Sequence, residues 1–145
     1  GTQAFYNCKS LKSVTIQEGV KSIGARAFMG CSSLTSITIP ASVTSIERHA
    51  FNGCEALTDI TIPESVTSIG KEAFLGCSSL TSVTFPNSLT NIGTKAFYNC
   101  KSLQTINYTG TKKQWKSIKN TNLTIEPKKQ IVVHCTDGKL KLKGK

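Results

Sequence analysis

Cys8, Cys31, Cys54, Cys77 and Cys100 stand 23 residues apart, and no other feature of this 145-residue chain constrains its fold as tightly. The neighbouring positions keep the same beat. Ala-Phe recurs at Ala4/Phe5, Ala27/Phe28, Ala50/Phe51, Ala73/Phe74 and Ala96/Phe97, and Leu11, Leu34, Leu57, Leu80 and Leu103 each follow a cysteine by three residues. Val14, Ile37, Ile60, Val83 and Ile106 come next, then Ile16, Ile39, Ile62, Phe85 and Tyr108. Val20, Val43, Val66 and Leu89 complete the pattern with Ile23, Ile46, Ile69 and Ile92. A unit this short cannot bury its own apolar face, so successive units bury it for one another, and the chain is a repeat solenoid. At 38% hydrophobic the composition is lean for a globular core but suits a thin continuous stripe.

Residues 27–49 serve as one coil. Between Leu34 and Ile39 apolar residues come to alternate with hydroxyls, the mark of a strand with one buried face. Pro40, Pro63 and Pro86 end these runs, because proline has no N–H to offer a ladder. Val43 and Ile46 bring the chain back along the other side, and Gly24, Gly70 and Gly93 occupy the following turn, with Glu47 once in that slot. Ala27, Cys31 and Leu34, at i, i+4 and i+7, predict a short helical turn leading into the next strand. Stacking places one parallel strand per coil about 4.8 Å from its neighbour. Phe28, Cys31, Leu34, Ile37, Ile39, Val43 and Ile46, with their equivalents, then point inward.

The beat stops after Ile106. Trp115 and Ile118, at i and i+3, predict one short helix over the last rung, and Asp137-Gly138 between two strand-like runs predicts a hairpin in which Leu140 and Leu142 share one face and the lysines the other. The expected organisation is therefore a repeat array over 1–109 and a capping segment over 110–145. The chain opens inside a coil, so further repeats are expected upstream. In isolation the first rung (Ala4, Phe5, Cys8, Leu11, Val14 and Ile16) is expected to fray or to make an end-to-end contact with another molecule.

The repeat, of the form IPxSVTSIGxxAFxGCxSLTSVxIP, resembles the BspA-like, or Treponema-type, leucine-rich repeats over residues 4–109, and the ending from Tyr108 to Trp115 is similar to segments found behind such arrays. The resemblance implies a curved leucine-rich-repeat solenoid with a parallel β-sheet on one side and short helical turns or irregular segments on the other. It also implies display at a cell surface or secretion, and a non-enzymatic role in adhesion to a protein or glycan on a host or neighbouring cell. No secretory signal stands at the N-terminus, and no apolar run is long enough to span a bilayer.

Candidate chemistry is sparse. Successive cysteines of the column have nearly parallel Cα–Cβ vectors, which favours stacked buried thiols over disulfides, and no CxxC spacing suggests a metal site; Cys135 is expected in the cap core. His49 shares a variable outward slot with Arg26, Glu72 and Lys95, and His134 lies in a predicted strand, so neither suits a nucleophile–base pair. The acids are scattered and the glycines are turn residues, so no catalytic group, metal or cofactor is expected. Asn107-Tyr-Thr109 and Asn122-Leu-Thr124 fit the glycosylation acceptor pattern.

Two surfaces remain as candidate binding sites. The first is the strand face, concave in a curved solenoid: Ser13, Thr15, Ser36, Thr38, Asp59, Thr61, Ser82 and Thr84, continued by Thr105 and Asn107. It offers small hydroxyls and one acid, without the Trp, Tyr or Arg that anchor protein interfaces. The second is basic. Of the net charge of +10, residues 107–145 hold +8, from ten lysines against Glu126 and Asp137. Lys112, Lys113, Lys116, Lys119, Lys128 and Lys129 would there bind a polyanion such as a glycosaminoglycan or teichoic acid, with nucleic acid less expected. A third reading makes the array a spacer within a larger surface protein.

Overall fold

The computed structural model describes residues 1–119, 123, 125, 126 and 129–144. It is a parallel β-solenoid of about five turns. The expected strands are β1 (Ser13–Thr15), β3 (Ser36–Thr38), β5 (Asp59–Thr61), β7 (Ser82–Phe85) and β9 (Thr105–Tyr108). Their register follows the period: Ser82 stands beside Thr105, and Ser13 beside Ser36.

Each of the first four coils adds a second strand that the pattern did not announce: β2 (Ser22–Ile23), β4 (Ser45–Ile46), β6 (Ser68–Ile69) and β8 (Asn91–Ile92), joined in one parallel sheet. The return leg had to find partners for its backbone groups, and with no insertion between repeats the nearest are those of the adjacent coil. Glu47 N–H donates to Ile23 O at 2.9 Å as Gly70 donates to Ile46 O at 2.8 Å, so Glu47 leaves this ladder intact.

The segment through Ala-Phe corrects the expectation of a helical turn. It is a run of tight turns whose N–H groups alternate in direction. Ala27, Met29 and Cys31 donate three residues back along their own coil, whereas Arg26, Phe28 and Gly30 donate to Arg48, Ala50 and Asn52 of the next. An α-helix would spend every N–H on its own carbonyls and leave the coils unjoined. The alternation needs two left-handed residues per coil: Gln3, Arg26, His49, Glu72 and Lys95 at φ 55–57°, and Asn7, Gly30, Gly53, Gly76 and Asn99 at φ 56–77°.

The core is a set of columns along the axis. Phe5, Phe28, Phe51, Phe74 and Phe97 stack with centroids 5.0–5.3 Å apart and planes within 8°. Beside them runs the cysteine column, all of it free thiol. Each Sγ–H reaches back one coil, Cys31 to Phe5 O, Cys54 to Phe28 O, Cys77 to Phe51 O and Cys100 to Phe74 O, at 3.1–3.2 Å. A cysteine thus packs as a small hydrophobe and satisfies a carbonyl as well.

The cap closes one end. Helix α1 (Lys112–Ser117) starts with a capping box, in which Thr111 Oγ1 accepts from Gln114 N and Gln114 Oε1 accepts from Thr111 N. It presses Trp115 against Phe85 and Tyr108. Strands β10 (Gln130–Cys135) and β11 (Gly138–Lys143) form the expected hairpin, with Thr136 and Asp137 at the turn and Gly138 at φ 128°. Asp137 Oδ1 accepts the Lys112 N–H at 2.8 Å and ties the hairpin to α1. At the other end β1 is held in register against β3, while Phe5 and Val20 stay 40% and 38% exposed around an open slot of about 300 Å3.

Candidate binding face

Strand alternation and register together lay out the polar face. Asp59 is level with Ser82 and Thr105, and Thr61 with Thr84 and Asn107, while Ile60, Val83 and Ile106 between them point into the core. Ser13 and Thr15 likewise flank Ser36 and Thr38. The two groups do not form one sheet. β1 and β3 make a two-stranded sheet, β5 begins a five-stranded one, and no ladder joins β3 to β5.

The hydrogen bonding beside this break differs at Thr58 and Asp59. Thr35 N–H and Oγ1 both donate to Lys12 O, and Thr81 N–H and Oγ1 both donate to Thr58 O. Between them Thr58 breaks the series: its hydroxyl turns to Asp59 Oδ2 at 3.2 Å, leaving Thr35 O without that donor. Asp59 is the one acid where the other coils carry Ser13, Ser36, Ser82 or Thr105. The coils stay joined elsewhere, since β4 pairs with β6 and Phe28 stacks on Phe51 at 5.3 Å. The opening is thus confined to the strand face. It is a cleft of about 330 Å3 lined by Ser36, Thr38, Asp59 and Thr61 at its rim, with Ile39 and Pro63 beside them. Asp59 is the odd residue of its column; that the Thr58 hydroxyl turns to it, beside the break between β3 and β5, could not be read without the hydrogen bonds.

The described lysines of the capping segment have different local settings. Lys112, Lys113 and Lys116 project from α1 within one arc of the helix. The Lys119 main chain extends the second sheet, its carbonyl accepting from Ile92 and its N–H donating to Thr90. Lys129 is already engaged, its Nζ donating to the carbonyls of Cys100 (2.8 Å) and Lys101. Lys128 and Asn122 lie outside the described residues.

His49 departs from the outward placement expected of it. It is partly buried between coils, with Nδ1 3.4 Å from Glu72 Oε2 and 3.2 Å from Asn52 Nδ2. Burial raises the Cys31 and Cys54 thiols, the latter to about 12, so these sulfurs stay protonated donors and are poor nucleophiles. Cys135, at the hairpin, is also raised by burial. Among the described residues no group of three potential metal ligands converges, and no helix is long and apolar enough to cross a membrane.

A parallel solenoid of this period, with stacked apolar columns and a polar strand face, is a leucine-rich-repeat architecture. More narrowly, the chain belongs to the BspA type leucine rich repeat family, whose pattern matches residues 1–124 in six copies. It is 40% identical to the T. pallidum leucine rich repeat protein over 73% of this chain and 50% of that one, with a TM-score of 0.72. It is also 40% identical to a leucine rich cell surface protein from Faecalibacterium prausnitzii, covering 81% of this chain and 31% of that one (TM-score 0.79). The pneumococcal vaccine antigen PcpA is 29% identical over 74% of this chain and 27% of its own (TM-score 0.64). The chain thus spans half or less of each of these proteins. The comparison with curated proteins gives no match.

Proposed function

We propose that this chain is a non-catalytic binding module of a cell-surface protein, and that its ligand is a hydroxyl-rich one, a glycan, seated on the strand face at the β3–β5 cleft. The observation that carries this reading is the parted ladder. It opens a cleft on the same surface as a carboxylate and several hydroxyls, whose exposed donors and acceptors a sugar meets with its own alternating hydroxyls. Pro63, half-buried at the cleft, supplies apolar surface for its C–H face. The surface location rests on relatives described as a cell surface protein and a vaccine antigen.

Wild type and the Asp59→Asn/Thr61→Val variant, probed side by side on a printed array of neutral and amino-sugar glycans, test it. Discrete glycan hits that the variant loses, at unchanged melting temperature, are the expected result. Hits indifferent to these substitutions, or an array without hits, would overturn the reading.

A further inference from the structure

The cap does more than cover the last rung. β10 pairs in parallel with β9 and antiparallel with β11, so the strand face continues across the cap, polar except at Val132. Thr105 is level with Val132 and then Lys141, and Asn107 with His134 and then Lys139; Gln130 stands beside Lys143. The inward positions of the hairpin, Ile131 and Val133 on β10 with Leu140 and Leu142 on β11, are the apolar ones. Lys139, Lys141 and Lys143 therefore stand exposed in a row on the same face as the hydroxyls of β7 and β9.

We infer that this row, with Gln130, His134 and Asn107 beside it, is a binding site for an anionic polysaccharide. Along the strand the three lysines are about 6.8 Å apart, inside the Debye length of about 8 Å at physiological ionic strength, so they repel one another. Among the described residues none of the three ammonium groups has an ion-pair or hydrogen-bond partner; the ion pairs present join Glu72 to His49 and Lys71. A row of like charge with no ion-pair partner among the described residues is relieved by a bound polyanion, which releases counterions as it binds. Lysine on an edge strand also discourages strand addition. That duty does not require the row to lie level with the amide, imidazole and hydroxyl groups of three further strands, and those groups suit sugar hydroxyls and ring oxygens. The face carries no exposed aromatic ring, which argues against single-stranded nucleic acid, whose bases seek stacking platforms. This site does not depend on the β3–β5 cleft and lies at the opposite edge of the five-stranded sheet from Asp59.

The probe is a size-defined heparin oligosaccharide, with neutral dextran and a duplex DNA oligonucleotide as comparisons, titrated against the whole chain at several salt concentrations. The triple variant Lys139→Gln/Lys141→Gln/Lys143→Gln should weaken heparin binding about tenfold or more and flatten the log–log salt slope by about two. Lys113→Gln/Lys116→Gln on α1, sparing Lys112 whose Nζ lies beside Gly138 of the hairpin, should leave most of the binding, and Asp59→Asn should leave all of it, separating this site from the cleft. Thermal melts of all three verify folding. Binding lost with the α1 lysines instead, equal losses in both lysine variants, or DNA bound as tightly as heparin would each overturn the inference.

Discussion

Truncating the same side chain at two points of the phenylalanine column should give two very different costs. Phe74 is fully buried, with rings at 5.1 and 5.0 Å on either side. Phe74→Ala opens a hole sealed by Phe51 and Phe97, so the lost transfer free energy adds to an unrelaxed cavity, about 3–5 kcal/mol together. Phe5 is 40% exposed and has one stacked neighbour, Phe28, at 5.2 Å. Phe5→Ala leaves no enclosed void, because solvent already reaches the ring. The loss is then roughly three-fifths of a full burial term, about 1–2 kcal/mol. The expected difference of about 2–3 kcal/mol corresponds to roughly 30- to 150-fold in the unfolding equilibrium. Urea unfolding measures it, with far-ultraviolet circular dichroism following the array and the fluorescence of Trp115, the only tryptophan, following the cap. Coincidence of the two probes checks that the array unfolds as one unit. Equal costs at the two positions, within about 0.5 kcal/mol, would refute the graded burial along the axis from which these figures come.

Two further outcomes follow from the cysteine column and the cap. Burial first of all holds the Cys54 thiol near 12, against 9.0 for an ordinary one. Its contribution is therefore complete below pH 9 and is lost as pH rises toward 12, because the unfolded chain releases its proton first; replacing Cys54 by Ala should make the stability decline between pH 9 and 11 shallower by about 1 kcal/mol per pH unit, and parallel declines would contradict this. Asp137→Ala removes the acceptor of the Lys112 N–H and should cost about 1 kcal/mol, with Trp115 emission shifting to longer wavelength before the array melts; an unchanged Trp115 signal would show that the hairpin and α1 are not coupled.

The 23-residue period was enough to assign the solenoid, its parallel strands, the inward columns and the family, because each follows from which residues recur. Trp115 as the anchor of the cap and the hairpin at Asp137-Gly138 were legible for the same reason, as local patterns of burial and turn chemistry. The Ala-Phe segment misled because spacing at i, i+4 and i+7 reports which side chains are buried together and not where the N–H groups go. Only the alternation of donors between Ala27 and Arg26 shows that the turns serve the next coil. The second ladder at Ser45–Ile46 was hidden likewise, being too short to leave a period of its own.

Both candidate sites depend on hydrogen bonds between segments, which a sequence does not display. The alternation of Lys139, Lys141 and Lys143 with Leu140 and Leu142 determined that the lysines share a face. Whether that face continued the polar surface of the repeats or opposed it was decided by the pairing of Val132 with Thr105, a choice of register in which a slip of one residue would have turned every lysine to the other side. At Asp59 the sequence determined only that a carboxylate replaces a hydroxyl. The tertiary structure decided what accompanies it: the Thr58 hydroxyl serves its neighbour's carboxylate and not the carbonyl one coil away, at the place where no ladder joins β3 to β5.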